Sequence, residues 1–498
     1  MNRYIIYTCL FLYQFISVTG VSQVHPDTVA LSLPEVVELA KSASIASKQA
    51  LTTRETKYWE YRTYRSNYQP QLSLSGTLPG YKKTFTEVLQ PDGTIKFQSV
   101  HNNNSSLDLS FSQSIAATGG TIFGTTQLQR FDDFDRKNDP LYNSTPFGIG
   151  YNQPLFQFNQ LRWDRKIAPL KYKESVQAFT EDMEQIAIQA SSYYFVLLLA
   201  QVNQQIAETN LVNTRNILRI ANEKYKLGKL SRNEILQLQL EQLKSEKAAG
   251  VARRDREIAS LNLRSYIGMQ HMDKILLLLP GTQTRMQVSI DKALTEAYEN
   301  RSDATAFIRR VAEARRDVAK ARGENGLNAT LKMQLGYSKS GSSISQAYRS
   351  PQEQQEVQVA FTIPILDWGR SKSRTKTAEA NLQFTNYAVE QDKQTFAQEI
   401  LTQVTLYDMM RGQVLLTADA DSIASEKYRI AEEKYILGNF GITDLSIAFQ
   451  EKDQAKRDHI MALRDLWSSY YQLRYLSLYD FEQQQKITYQ KKYTSTDF

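Results

Sequence analysis

From Val176 onward the apolar positions advance by alternating threes and fours: Phe179, Met183, Ile186, Ala190, Tyr193, Leu197 and Ala200. The same steps continue through Ala207, Leu211, Leu218, Ala221 and Tyr225, with polar Gln204 and Thr214 in register. A sustained 3.5-residue period belongs to helices packed side by side in coiled-coil fashion. It predicts a helix over residues 171–225, on the order of 80 Å long at about 1.5 Å per residue. Gly228 supplies a left-handed stop, and Ser231 or Asn233 caps a return helix that reaches about residue 266.

Elsewhere the period is two. Leu72, Leu74, Gly76 and Leu78 alternate with Ser73, Ser75 and Thr77, as in a strand with unlike faces. Pro91-Asp92-Gly93 signals a turn. Leu107, Leu109 and Phe111 alternate with Asp108, Ser110 and Ser112 until Gly119-Gly120 breaks the run. Residues 122–131 and 147–151 are further candidates, so 70–153 offers four strands. A second β region, 329–363, offers two, around Leu331, Met333 and Leu335 and around Val357, Val359, Phe361 and Ile363. A helix within 21–69, capped by Ser32 with Pro34 and Glu35 in its first turn, precedes the first region. Its counterpart lies in the middle link, 281–328.

The chain repeats itself. Glu223-Lys224-Tyr225-Lys226-Leu227-Gly228 returns as Glu433-Lys434-Tyr435-Ile436-Leu437-Gly438, displaced by 210 positions. Pro154-Leu155-Phe156 maps onto Pro364-Ile365-Leu366, Ala168 onto Ala378, and Leu263-Arg264 onto Leu473-Arg474 at the same displacement. Each copy holds roughly 115 residues without a gap, far more than chance aligns. The copies are two helical hairpins, 154–280 and 364–480, followed by a polar tail, 481–498.

Composition alone does not suggest a membrane: 41% of the 498 residues are hydrophobic and the mean hydropathy is -0.47. Arg3 precedes an apolar run over residues 4–18, and Thr19-Gly20 follows, which reads as a secretory signal peptide over 1–20. Cys9, the only cysteine, lies inside it, so the processed chain has no disulfide or thiolate site. No later stretch approaches about 18 consecutive apolar residues. A membrane-spanning reading therefore needs a closed β-barrel, because lipid leaves open backbone groups unsatisfied. The alternating runs equally fit a small soluble sandwich.

The net charge of +7 sets 60 basic against 53 acidic residues interspersed along helices. That is the pattern of solvated helix faces, not of a nucleic-acid partner. His25, His101, His271 and His459 lack metal-ligand spacing, and Gly119-Gly120 lacks the lysine of a phosphate loop. No catalytic constellation and no cofactor site emerge. Glu234 and Asp444 each lie six residues past a tip glycine. They read either as carboxylates ringing a constriction and favouring cations, or as complements to the N-termini of the return helices.

In its order of elements, its 210-residue duplication and its two Tyr-x-Leu-Gly tips, the chain resembles the TolC-type outer membrane factor family, the outer membrane efflux proteins. The resemblance covers nearly all of the processed chain. It implies a mainly α fold with a β-barrel part. Duplicated helical hairpins form a trimeric periplasmic tunnel, and strands from each subunit build one shared barrel in the outer membrane of a Gram-negative bacterium. It implies a passive exit duct of a tripartite efflux or type I secretion system, neither an enzyme nor a cofactor carrier. The homotrimer would meet outer membrane lipid and dock a periplasmic adaptor, with energy supplied by an inner-membrane pump.

By the same resemblance, Leu227, Gly228 and Lys229 and Leu437, Gly438 and Asn439 match the adaptor-contacting tips. Tyr435 matches a tyrosine of the closing network, and Asp444 an aspartate lining the aperture. Phe440 stands where the family has a gating arginine, Ile447 where it has a second aperture aspartate. Glu234 stands at the arginine's acidic partner. Apolar packing of Phe440 and Ile447 is then expected in place of a charged latch. The family has two strands per half, so either residues 122–151 form an extra hairpin or the strand pattern is enlarged. The competing reading is a soluble periplasmic coiled-coil adaptor or binding protein with a small β domain.

Overall fold

The computed structural model describes residues 28–135, 139–228, 230–269, 274–281, 287–437 and 440–489, so the expected signal peptide lies outside the described residues. Strand β1 (Thr28–Leu31) leads into α1 (Leu33–Ala43) and α2 (Ile45–Ser66). Ser32 opens α1 as its residue type predicts: its backbone N–H and its hydroxyl donate to Glu35 Oε2 at 2.7 and 2.6 Å. The single helix expected before residue 67 is two helices. Ser44 adopts an extended backbone, and its hydroxyl accepts from the Ser47 N–H at 3.0 Å, capping α2.

Five strands follow: β2 (Gln71–Thr77), β3 (Tyr81–Leu89), β4 (Ile95–Ser114), β5 (Thr121–Asp133) and β6 (Leu141–Leu155). Helix α3 (Gln160–Lys226), helix α4 (Arg232–Ile267) and β7 (Lys274–Leu277) complete the first half. The second half runs α5 (Ile290–Asn300), α6 (Ser302–Glu324), β8 (Asn328–Gly341), α7 (Ile344–Tyr348), β9 (Gln352–Thr362), α8 (Arg370–Ile436) and α9 (Ile442–Ser477). A short hairpin of β10 (Tyr479–Asp480) and β11 (Gln485–Lys486) follows, its second strand within the polar segment after residue 480.

Both long helices hold 67 residues and both return helices 36. At 1.5 Å per residue each long helix runs about 100 Å, starting well before the periodic stretch that announces it. Every boundary of α3 and α4 recurs in α8 and α9 at the 210-residue displacement. The preceding elements repeat at a different spacing. α1, α2 and β2 begin 257 positions before α5, α6 and β8, so the two displacements differ by 47 residues.

The chain divides into two compact units: residues up to Val36 with Tyr193–Gly281, and Val37–Ser192 with the residues after Gly281. In the first, β1 and β7 pair in parallel. The Tyr194 hydroxyl donates to the Leu278 carbonyl. The Gln201 side-chain amide bridges the strand, donating to the Ile275 carbonyl at 2.7 Å and accepting from the Leu277 N–H at 3.2 Å. The outer part of α3 packs antiparallel on α4 around Ala207, Leu211, Ala249 and Ala252. Arg215 pairs with Glu246 and Arg253 with Glu208 across that seam, at 3.0 and 2.9 Å.

In the second unit α8 and α9 pack along their length, and α6 lies along α8. The α8 residues Val389, Phe396, Ile400, Tyr407 and Val414 are buried, and they stand 210 positions after Phe179, Ile186, Ala190, Leu197 and Gln204. The two long helices thus bury one common phase. Strands β2, β4, β5, β6, β8 and β9 form one antiparallel sheet in that order. β3 continues from β2 along the N-terminal half of β4. The link between them passes so close to β4 that a Cβ on Gly80 would sit 1.9 Å from the Asn104 carbonyl oxygen, which only glycine avoids. All the hairpins of the first β region therefore belong to one enlarged sheet.

Glu184 is fully buried at the base of this unit. It accepts from Lys41 Nζ at 2.8 Å and Arg474 Nε at 3.0 Å, and the Tyr489 hydroxyl also donates to it. Arg474 in turn pairs with Asp480. Burial alone would raise the Glu184 pKa, but the two cations overturn that and hold it down to about 2. Burial pushes the Lys41 ammonium below its usual range, opposed by Glu184. One carboxylate thus ties α1, α3, α9 and the C-terminal segment together.

Candidate functional site

The pleat sends alternate side chains to opposite faces, and the register makes those faces chemically unlike. One row across the sheet reads Leu72, Phe111, Gly124, Ile149, Leu335, Gln355, and the next reads Gln113, Ile122, Tyr151, Met333, Val357. The opposite face reads Ser73, Ser110, Thr125, Gly148, Gly336, Gln354. On that polar face Lys332 pairs with Glu356 at 3.1 Å, and the Ser73 and Ser110 hydroxyls are 2.8 Å apart.

No protein layer covers the apolar face among the described residues. Leu72, Leu74, Val357 and Phe361 are 68–72% exposed. A sandwich would pack that face against a second sheet. A lipid-facing barrel wall leaves it bare and turns the polar face to a water-filled lumen. The connections agree with the second arrangement. The β4–β5 turn at the helix end spans only residues 115–120, and the Asn159 amide just before α3 donates to the Ala116 carbonyl at 3.0 Å. At the other end β8 and β9 are joined by the longest connection of the sheet on that side, 342–351, β5 and β6 by 134–140, and β3 and β4 by the short turn 90–94. α3 contains an 18-residue stretch apolar enough by composition to cross a bilayer, but half of that stretch is buried within the chain.

The helix tips form the other candidate region. α3 ends at Gly228, whose φ of +69° requires the left-handed conformation, and its N–H donates to the Tyr225 carbonyl at 2.9 Å. A Cβ placed there meets nothing within 4 Å, so the glycine faces open space. Leu227 is exposed beside it. Ser231 then caps α4. Its hydroxyl accepts from the Glu234 N–H at 3.3 Å, while its own N–H and hydroxyl donate to Glu234 Oε2, each at 2.7 Å. The Ser231 hydroxyl and then its backbone N–H hold the Glu234 carboxyl below its usual range. Of the two sequence readings, helix-terminal complement is the geometry Glu234 adopts within the single chain.

The second tip is built similarly with less side-chain support. The Leu437 N–H donates to the Glu433 carbonyl at 3.1 Å, and Leu437 is exposed. The Gly441 N–H donates to Asp444 Oδ2 at 3.3 Å, but glycine offers no hydroxyl in return. Phe440 stays partly exposed, with Lys434 Nζ 5.4 Å from its ring centroid, a cation–π contact. Tyr435 is half-buried, and Ile447 is exposed. Lys229, Gly438 and Asn439 lie outside the described residues.

Sequence reasoning missed the Lys41–Glu184–Arg474 cluster. Its one legible signal was a glutamate immediately after Met183 in the apolar stripe of a long helix. The parallel β1–β7 pair, four residues in each strand, was too short to announce itself.

A sheet apolar on one face and polar on the other, joined to two hairpins whose longer helices run about 100 Å, defines a subunit of an outer membrane channel. The family described as Outer membrane efflux protein matches residues 54–269 and 293–477, and the chain belongs to it. Among solved structures it is similar to the Campylobacter jejuni CmeC outer membrane channel, at 16% identity and a TM-score of 0.64 over 92% of this chain and 87% of that one. It is similar to CusC at 14% identity and 0.63, covering 89% and 91%, and to the Vibrio cholerae outer membrane protein VceC at 15% and 0.62, covering 89% and 95%. Identities this low speak for the fold alone. No curated protein matches the sequence. As a family member the chain is an outer membrane efflux channel and acts as a conduit rather than an enzyme.

Proposed function

We propose that three copies of this chain form the exit duct of a tripartite efflux or type I secretion assembly, and that the helix tips dock a periplasmic adaptor. The observation that carries the reading is the two-faced sheet joined to two helical hairpins of identical length. Outward residues of α8 support the ring: Phe384, Tyr387, Leu401, Met409, Leu416 and Ile423 are exposed in one chain, as faces awaiting neighbouring subunits would be. Exposed Leu227 and Leu437, with open space at Gly228, suit a hairpin approaching end-on.

The gate of this duct is formed by Tyr435, Phe440, Asp444 and Ile447, with Glu234 at the other tip. Phe440 and Ile447 contribute apolar contacts where a charged latch is lacking, and Lys434 shields the Phe440 ring.

The test is fractionation followed by tip substitution. The processed chain is expected in the outer membrane as a heat-modifiable trimer. Gly228→Trp and Gly438→Trp are expected to abolish export with trimers intact. Recovery as a soluble periplasmic monomer sinks the duct, and normal export by both variants removes the docking role of the tips.

A further inference from the structure

The two halves contribute unequal numbers of strands to their one sheet. β8 follows β2 by 257 positions, while β6 and β9 run into the segments that the 210-residue displacement joins, Pro154 to Pro364. β2 and β6 are therefore the counterparts of β8 and β9. β4 and β5 have no counterpart, and the extra 47 residues lie between β2 and β6. This inserted pair does not leave the sheet. β4 pairs with β2 over residues 106–112 and with β5 over residues 102–114, and β5 continues into β6. Its side chains keep the same two faces, with Leu107, Leu109 and Phe111 on the apolar side and Asp108, Ser110 and Ser112 on the polar side. Its turn returns to the helix end, where Asn159 holds it.

We infer that the inserted pair is part of the membrane wall, and that β9 of each copy pairs with β2 of the next copy to close an eighteen-strand barrel from three copies. The inference rests on the trimeric duct proposed above. Six antiparallel positions make the first and last strands of one chain run in opposite directions, so β9 and a neighbour's β2 meet antiparallel. Both are edge strands along which every residue of β2 and all but one residue of β9 are exposed. In lipid their unpaired N–H and C=O groups must be satisfied, and only closure does so. The chemistry of the edges agrees. Leu72 and Leu74 of β2 and Val357, Val359 and Phe361 of β9 lie on the apolar face, Ser73, Ser75, Gln354 and Glu356 on the polar face. Pairing Leu72 and Leu74 with Val359 and Val357 carries the apolar face across the seam, with Glu353 and Gln355 beyond it toward the start of β9. Barrel diameter grows roughly in proportion to strand number, so the exit is about half again as wide as the four duplicated strands alone would give.

Paired cysteines test the seam in the full chain. Its only native cysteine, Cys9, falls in the expected signal peptide. Leu74→Cys with Val357→Cys, and Leu72→Cys with Val359→Cys, are treated in outer membranes with a short bismaleimide that tolerates a small slip in register. Covalent trimer is expected as the main product. Thr126→Cys with Val357→Cys, which would link β5 to β9 if β2 and β4 stood outside the wall, is expected to give none. Electron cryo-microscopy of the unsubstituted trimer is expected to resolve eighteen strands in cross-section. Membrane trimers that link only through β5, or that show twelve strands, overturn the inference and leave the duct standing. A soluble monomer overturns both.

Discussion

The helical and β halves of the duplication have aged differently. The two hairpins agree to the residue, 67 and 36 in each copy, while the two β regions differ by 47 residues. The physical reason lies in how each element meets its neighbours. A long helix buries one stripe over its whole length, so a single added residue turns everything beyond it by about 100°. A strand pair adds to a sheet edge as a unit. It satisfies its own hydrogen bonds and leaves the faces of its neighbours unchanged. Length is therefore fixed in the helices and negotiable in the sheet.

The largest effect is expected from breaking that rule directly. One alanine inserted after Gln398 displaces Ile400, Val404, Tyr407 and Val414 from the α9 seam, and no heat-stable trimer should form on denaturing gels. One alanine inserted after Asp92, in the β3–β4 turn, should leave trimers at their normal level. If both variants assemble alike, packing is not what keeps the hairpins equal.

The buried carboxylate comes next. Glu184→Gln leaves Lys41 and Arg474 buried without their shared counter-charge, a loss of about 3–5 kcal/mol for a broken buried pair. It should appear as a clear fall in the temperature at which purified trimers dissociate. pH sharpens the same point. The Glu184 pKa is held at about 2 in the folded chain against an ordinary glutamate value of 4.5, so its stabilisation is complete above about 4.5 and disappears as pH falls through about 2. Dissociation temperature measured from pH 6 down to 2 should drop across that window in the parent. The Glu184→Gln variant, with no carboxyl to titrate there, should lack that part of the slope.

The smallest effects separate the two tips. Asp444→Ala should weaken cation preference in single-channel recordings, and unchanged selectivity would leave Asp444 as a helix-terminal charge only. Gly441→Ser would restore the hydroxyl that Ser231 supplies to α4. Slower amide exchange in the first turn of α9 is the expected sign, and unchanged exchange would mean that cap strength does not distinguish the tips.

Residue pattern carried much of this fold because its long elements are periodic. Phe179, Met183, Ile186 and Ala190, spaced by threes and fours, are buried, as is Leu197 seven positions on, with Tyr193 between them half-buried. Leu107, Leu109 and Phe111 do face one side of a strand. β3 escaped because Lys82, Lys83, Thr84 and Thr86 interrupt any clean alternation, and it gains its place only from pairing with β4. Ser44 reads as one more helical residue until its hydroxyl is seen to accept from the Ser47 N–H. At the tips the glycine stop at Gly228 was legible, since only a left-handed residue ends the helix there. The partner of Phe440 was not, because a cation–π contact with Lys434 has no signature in spacing.

The sequence by itself determined the duplication, the long helices, the two-faced strands and the family, because each is written in a period or a displacement that local geometry must obey. Only the tertiary structure decided that β4 and β5 extend one wall and that Glu184 binds Lys41, Arg474 and Tyr489. Those facts depend on residues up to 305 positions apart meeting in space, and no local pattern records such meetings.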